Sequence, residues 1–367
     1  MEGTTMKPTF LKVPAKQEVF QQLREEVNNT VQLLKEKRGY IITVKAILFP
    51  ALYFSFYVAA LVMGKNTLIL YTCYVFLGIM IDLNFLNLIH DAVHNTLFKS
   101  KRLNKLYVHL FDVMGANSFI WRLRHIRLHH NYPNVLQWDS DFEQSPMARV
   151  FPNAPYSPIH RYQHIYLPML YPLFLFNWLF IRDFKDFFRR KQLVRKVAEI
   201  PAIEYIKLGL FKLFFLTYLI VIPKLVLHIT WMQIVAAFFI MILTASIFGL
   251  IVLVTPHAVP DSSFPITDKN GRLPTSWFEH QLRSTNDVAE DNWFTRFFMG
   301  CFNYHIAHHL FPAVNHVYYP EITELVKKFA ENNNLPYRRF PLIVSLKKHY
   351  QLLKNNSFRD NIFEEVM

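Results

Sequence analysis

A chain of 367 residues that is 52% hydrophobic and 16% aromatic, with only 18% charged residues, 35 Phe and 9 Gly, is too poor in charge for a soluble protein of its length. Its formal net charge of +13 comes without a nucleic-acid-binding motif or a basic helix, which leaves an anionic lipid surface as the plain partner. The two cysteines, Cys73 and Cys301, have neither zinc nor redox spacing, so disulfide and thiolate chemistry are excluded and both read as small buried hydrophobes.

Residues 1–40 are polar and lack the short apolar run and cleavage site of a signal peptide, so they are expected to form a cytoplasmic N-terminal segment. A first span is expected over residues 46–63, "AILFPALYFSFYVAALVM", and a second over 68–89, "LILYTCYVFLGIMIDLNFLNLI". Each is close to the ~20 residues that cross the hydrocarbon. Only "GKNT" separates them, so they form a tight hairpin. The stretch "HIYLPMLYPLFLFNWLFIRDF" is apolar and aromatic, but its prolines argue for an interfacial segment on the cytoplasmic leaflet rather than a span. A third span over 203–222 is interrupted by Lys207 and Lys212. The fourth, over 231–255, "WMQIVAAFFIMILTASIFGLIVLVT", follows the short connection "PKLVLHI".

Of the 40 Lys and Arg, only Lys65 and Lys224 fall in the two short connecting turns, so the N-terminal, middle and C-terminal regions are expected on the cytoplasmic side. The fold class that follows is all-α and integral to a membrane: four transmembrane helices in two hairpins beneath a cytoplasmic helical cap. The division expected is an N-terminal segment (1–40), a membrane domain (41–350) and a C-terminal tail (351–367). There is no internal repeat beyond the hairpins and no low-complexity tract.

Asn87, His90, Asp91 and His94 fall at i, i+3, i+4 and i+7 where the second span ends, one polar stripe that must face protein or water. In "RHIRLHHNYP", His125 and His129 share a helix face while His130 is rotated by about 100°, a geometry that suits two metals better than one. His257, in "VTPHAVP", leaves the fourth span at the right depth to join them. In "NYHIAHHLFP", His305, His308 and His309 lie at i, i+3 and i+4, so all three can point at one spot, and Pro312 favours ending that helix. Imidazoles so crowded repel when protonated and are good metal ligands when neutral. An even number of crossings between these clusters brings them to one side of the membrane. The spacing alone leaves the metal open, since zinc, copper and nickel also accept imidazole. His109, His160, His164, His228, His280 and His349 read as ordinary core or surface residues.

"HDAVH", "HIRLHH" and "HIAHH" resemble the three histidine boxes of the integral-membrane fatty acid desaturases, in that family's order and orientation. "HHNYPNVLQWDSDFE" resembles the acidic stretch after the second box, and "WFEHQLRSTND" with "NYHIAHHLFPAVNHVYYPEI" resembles the C-terminal signature; the likeness runs from roughly Leu68 to Pro336. The resemblance implies a centre of two Fe ions ligated by His90, His94, His125, His129, His130, His257, His305, His308 and His309. It implies O2 as co-substrate, an acyl-CoA or acyl-lipid substrate that loses two hydrogens, and electrons from a ferredoxin or cytochrome b5. An unactivated methylene has no acidic proton or leaving group, so such a reaction needs a redox metal.

Carboxylates can orient ligand rings through the second ring nitrogen, which makes Asp91, Asp139, Asp141 and Glu143 candidates, with His316 beside them. Trp277 and Gln281 match the C-terminal signature and are expected close to the substrate. Arg122, Arg124 and Arg127 are suited to grip a phosphate, or simply follow the positive-inside bias. Two departures from the resembling front-end subgroup stand out: His305 replaces a usual glutamine, so the double-bond position does not carry over, and the "HPGG" motif of a fused cytochrome b5 is absent. The roughly forty residues before the first span are too few for that domain. Without a C-terminal dilysine, the host membrane reads as a bacterial plasma membrane ahead of an endoplasmic reticulum. Two alternatives carry over: a hydroxylase on the same scaffold, and a metal transporter, which would place its ligands within the spans instead of at their exits.

Overall fold

The structure, a computed structural model, describes residues 6–142 and 145–358 and is mostly helical. Helix α1 runs unbroken over Pro14–Met63, with proline at its first turn. Residues 14–40 of the polar segment and the first expected span are therefore one 50-residue helix, and no break marks the boundary expected at residue 40. The helix serves two cores. Phe20, Leu23, Val27 and Val31, at helical spacing, pack on the cap, while Phe49, Tyr53 and Ala60 lie in the core of the bundle.

Helix α2, Thr67–Val93, follows a three-residue turn, and the Asn66 side chain caps it by accepting from the backbone N–H groups of Leu68 and Ile69. Next come α3 (Lys101–Val113), α4 (Ser118–Arg122), α5 (Pro158–Phe188), α6 (Ala202–Leu227) and α7 (Trp231–Leu253). The cap is completed by α8 (Trp277–Ser284), α9 (His305–Leu310), α10 (Tyr319–Asn332) and α11 (Leu342–Asn355). A two-residue parallel ladder pairs β1 (Asp287–Val288) with β2 (Arg339–Phe340). Helix α11 runs across the expected start of the C-terminal tail, whose residues 359–367 lie outside the described residues.

Among the described residues, five helices are long and apolar enough to cross a membrane: α1, α2, α5, α6 and α7. Four match the expected spans. The addition is α5, which is irregular: prolines 168 and 172 break it into short α and 3-10 turns, and Trp178–Arg182 is a π turn.

Helices α2 and α7 approach closely because Gly78 has no side chain; a Cβ there would stand 2.5 Å from the Met241 carbonyl oxygen. Helix α6 is tied to the first hairpin through hydroxyls, with Tyr53 Oη 2.6 Å from Tyr218 Oη and Tyr74 donating to the Leu219 carbonyl at 2.5 Å. Lys212, which interrupts the third apolar run, is buried and donates to Asp183 Oδ2 at 2.9 Å; Asp183 also accepts from Arg124 at 2.7 Å. Pairing makes a lysine tolerable there. It also takes Arg124 out of contention as a phosphate ligand, since the guanidinium is fully buried, and Arg127 donates to the Val197 carbonyl at 2.9 Å.

Gly78→Val is expected to destabilise the protein by about 1–3 kcal/mol by forcing α2 and α7 apart. A lowered thermal midpoint in detergent is the readout; an unchanged one means the two helices do not pack through this glycine.

Candidate metal centre

Four chain segments meet at one end of the bundle, and two of them arrive as π turns. Helix α2 widens over Phe85–Ile89 and returns to α geometry at His90. The second π turn continues α4 through Leu123–His129, and there the His130 N–H donates to the His125 carbonyl at 2.9 Å, a five-residue step. Residues five apart therefore stack, where an α-helix would stack residues four apart. His125 comes together with His130, Nε2 to Nε2 3.1 Å, and His129 points elsewhere. This reverses the pairing of His125 with His129 expected from α-helical spacing.

The third segment, α9, stands between two groups of rings. His305 and His309, one turn apart, face one group, and His308, about 100° around the axis from His309, faces the other. The three do not converge on one spot. The nine histidines divide into His90, His94, His125, His130 and His308, and into His129, His257, His305 and His309; within each group one ring nitrogen per residue lies within 4.8 Å of all the others.

The outward hydrogen bonds decide which nitrogens face inward. His257 Nδ1 lies 3.0 Å from the Ser284 carbonyl oxygen, which can only accept, so Nδ1 carries the proton and Nε2 is a bare lone pair. Gln281 donates its amide N–H to the His130 carbonyl, which turns Oε1 toward His309 Nδ1 at 3.0 Å. Tyr319 donates to the Val314 carbonyl and so accepts from His308 Nδ1 at 3.1 Å. The bare Nε2 atoms of His257 and His309 are nonetheless 3.1 Å apart, and His257 Nε2 is 2.8 Å from that of His305.

Two lone pairs at that distance repel unless a cation lies between them, and metal–imidazole bonds of about 2.0–2.1 Å at right angles space nitrogens by about 3 Å. His308 Nε2 is also buried with no hydrogen-bond partner. The donor set therefore fits metal ions. Burial, followed by neighbouring imidazoles, holds His257, His305, His308 and His309 well below the usual histidine range, so they are neutral and able to ligate. His129 differs: burial opposes its charge, but the Asp139 carboxylate, through charge and hydrogen bond, together with Asp141 raises it.

The expected supporting residues sort unevenly. Asp139 Oδ1 accepts from His129 Nδ1 at 3.0 Å, and Asp141 lies 3.5 Å from His125 Nδ1. The loop that returns Asp139 to His129 turns at Asn134, φ 59°, whose N–H donates to Asp139 Oδ2 at 2.8 Å. Asp91 and His316 touch no box imidazole through a hydrogen bond; they bond to each other at 2.6 Å, with Asn315 on Asp91 and Lys45 on His316. Gln281 holds His309 in place of contacting a substrate cavity, and Trp277 packs edge-on against Phe20 in the cap core, 5.9 Å between centroids. Glu143 lies outside the described residues.

Sequence reasoning missed Tyr319, the Ser284 carbonyl and Asp287, whose carboxylate accepts the Ile306 N–H at 2.8 Å and so seats the start of α9. Tyr319 and Asp287 both lie in the motifs singled out above, but hydrogen-bond partnership leaves no periodic trace.

Beside both groups lies a cavity of about 420 Å³, lined by His90, His125, His129, His257 and His305 and otherwise by mostly apolar side chains such as Phe85, Trp121, Trp178, Leu250 and Phe302. Its outer rim, Leu170, Leu173 and Ile181, belongs to α5 and is exposed.

Among known proteins, the chain is 29% identical over 82% of its length to an acyl-lipid (8-3)-desaturase of Physcomitrium patens, of which it spans 63%, less than two thirds. It is 27% identical over 70% of its length to an sn-1 linoleoyl-lipid 6-desaturase of Synechocystis, spanning 71% of that protein, and 28% identical over 75% of its length to an acyl-lipid (8-3)-desaturase of Dictyostelium discoideum. Residues 65–341 match the family described as fatty acid desaturase. That stretch contains α2, every candidate ligand and all of the cavity lining except His349, and the chain belongs to the fatty acid desaturase family.

Proposed function

We propose that this protein is a di-iron acyl-lipid desaturase that removes two hydrogens from an acyl chain held in the 420 Å³ cavity. The observation that carries the reading is the meeting of two inward-facing imidazole groups with one mostly apolar cavity. The overall balance is –CH2–CH2– with O2, two electrons and two protons giving –CH=CH– and two waters. Bound iron supplies the O2-dependent redox chemistry that no side chain can.

The nine histidines are the proposed ligands. Asp139, Gln281, Tyr319 and the Ser284 carbonyl hold Nδ1 protons outward and keep the Nε2 atoms aimed at the metals. Phe85, Trp121 and Phe302 keep water from the reacting methylenes and set the chain beside the histidines. Relatives named for acyl-lipid and linoleoyl-lipid substrates, and a cavity rim on an exposed apolar helix, favour a chain esterified to a bilayer lipid over acyl-CoA. Electrons come from a separate ferredoxin or cytochrome b5.

The same site supports four crossings, with the metal centre on the cytoplasmic side. Helices α5, α6 and α7 lie between His130 and His257; if all three crossed, the two halves of the site would lie on opposite faces. Broken and proline-rich, α5 is the one that stays on the cytoplasmic leaflet. The charge distribution supports the same orientation, in a bacterial plasma membrane or an endoplasmic reticulum.

Expression with a compatible donor, beside His308→Ala at equal abundance, is expected to yield acyl species lacking two hydrogens that the variant does not make. Mass spectrometry of total fatty acids reads this, and a product gaining one oxygen instead would establish the hydroxylase. Gln281→Leu is expected to weaken metal retention by about 10–100-fold, read as bound metal per chain, with Trp277→Phe unchanged; equal loss in both would remove the role given to Gln281. For topology, Lys65→Cys should react with an impermeant maleimide in intact cells and Lys348→Cys only after permeabilisation. The reverse pattern would invert the protein.

A further inference from the structure

A second cavity, of about 330 Å³, lies against the first and shares Tyr171, Leu250, Val254 and His349 with its lining. The rest of its wall includes Pro168, Ile247, Ile251 and Leu346, and no lysine or arginine. Such a space takes hydrocarbon and offers nothing to a phosphate or carboxylate. Between the two cavities stands a polar pair: Tyr171 Oη is 2.5 Å from His349 Nε2, and His349 Nδ1 is 2.9 Å from the Ala258 carbonyl oxygen.

That carbonyl can only accept, so the His349 proton sits on Nδ1, Nε2 accepts, and the tyrosine hydroxyl must donate. Packing alone would be met by two apolar side chains. The hydrogen bonds add position: they join α5 to α11 and anchor both to Ala258, the residue after His257. Prolines 168 and 172 stiffen α5 on either side of Tyr171.

We propose that the Tyr171–His349 pair is the end wall of the acyl cavity. It is held at a fixed offset from the metal site and limits the length of the methyl end that a substrate can extend past the reacting carbons. The inference rests on the acyl-chain reading of the first cavity. Opening the wall joins the second cavity to the first and admits longer chains; a single methylene in a fitted apolar pocket changes discrimination by about 10-fold or more.

The test feeds a host expressing the protein with fatty acids graded in length by two carbons and reads conversion of each by mass spectrometry. Tyr171→Ala is expected to raise conversion of chains about two to four carbons longer than the native optimum by about tenfold relative to that optimum. Tyr171→Phe, which keeps the ring and loses the bond, should shift the ratio less and in the same direction. Leu346→Trp, outside the first cavity, should leave the native profile unchanged and cancel the gain when combined with Tyr171→Ala. An unchanged length ratio in Tyr171→Ala, a gain that Leu346→Trp does not cancel, or loss of all conversion in both Tyr171 variants at native abundance and metal content overturns the wall. If the native protein itself makes no double bond, the acyl-chain reading falls and the wall falls with it, an outcome distinct from a native desaturase whose length profile ignores Tyr171.

Discussion

The rest of the molecule depends on holding imidazole lone pairs face to face at about the 3.1 Å that separates His257 Nε2 from His309 Nε2. Neutral rings do not choose that arrangement. It is imposed from outside, by groups that each take up an Nδ1 proton and leave Nε2 with nowhere to point but inward. Those groups come from the loop after the second box, from the middle and the last residue of α8, and from α10. The cap is therefore a set of hydrogen-bond acceptors delivered to one shell around the rings, and burial keeps His257, His305, His308 and His309 neutral.

Backbone geometry does the sorting that side-chain spacing cannot. In α form, the second box would turn His125 and His129 to one side and His130 away. The π turn over Leu123–His129 moves the stack to five residues and sends His129 to join His257, His305 and His309. The first box keeps α geometry and contributes both histidines to one group; the third, on α9, contributes to both. Three short motifs thus supply five and three histidines to two groups, and His257 completes the smaller one.

Much of this was legible. The apolar runs located α2, α6, α7 and the C-terminal end of α1 to within a few residues, because hydrophobic length is written directly in composition, and all nine histidines stood out through their spacing and position at the ends of spans. What was not legible is whatever depends on a bond between distant residues. The two groups could not be assigned without the π turn, which no residue pattern announces. Helix α1 concealed its continuity because the polar and apolar halves face different cores, and a change of composition at residue 40 looks like a boundary. Trp277 and Gln281 belong to one motif and lie on one helix, yet one packs in the cap core and the other holds His309, since four residues along a helix turn a side chain only slightly but move it a full turn along the axis.

Asp91 and His316 show how a sound chemical expectation meets a different structural need. A carboxylate beside a box histidine is well suited to orient an imidazole, but Asp91 is turned from the rings and accepts from His316 Nδ1. Lys45 has three donors and no acceptor, so it must donate to His316 Nε2, at 2.8 Å, and it also donates to Asn87 Oδ1 at 2.8 Å and to the Arg296 carbonyl. The tautomer of His316 is thereby fixed, and one buried path of hydrogen bonds joins α1, α2 and the segments flanking the third box. Removing one member would leave a buried charge without its partner, a loss of about 3–5 kcal/mol by the usual measure of such pairs. The residues nearest the first and third boxes in sequence are thus spent on clamping the bundle to the cap, and the orientation of the rings falls to residues from the cap and the loop after the second box.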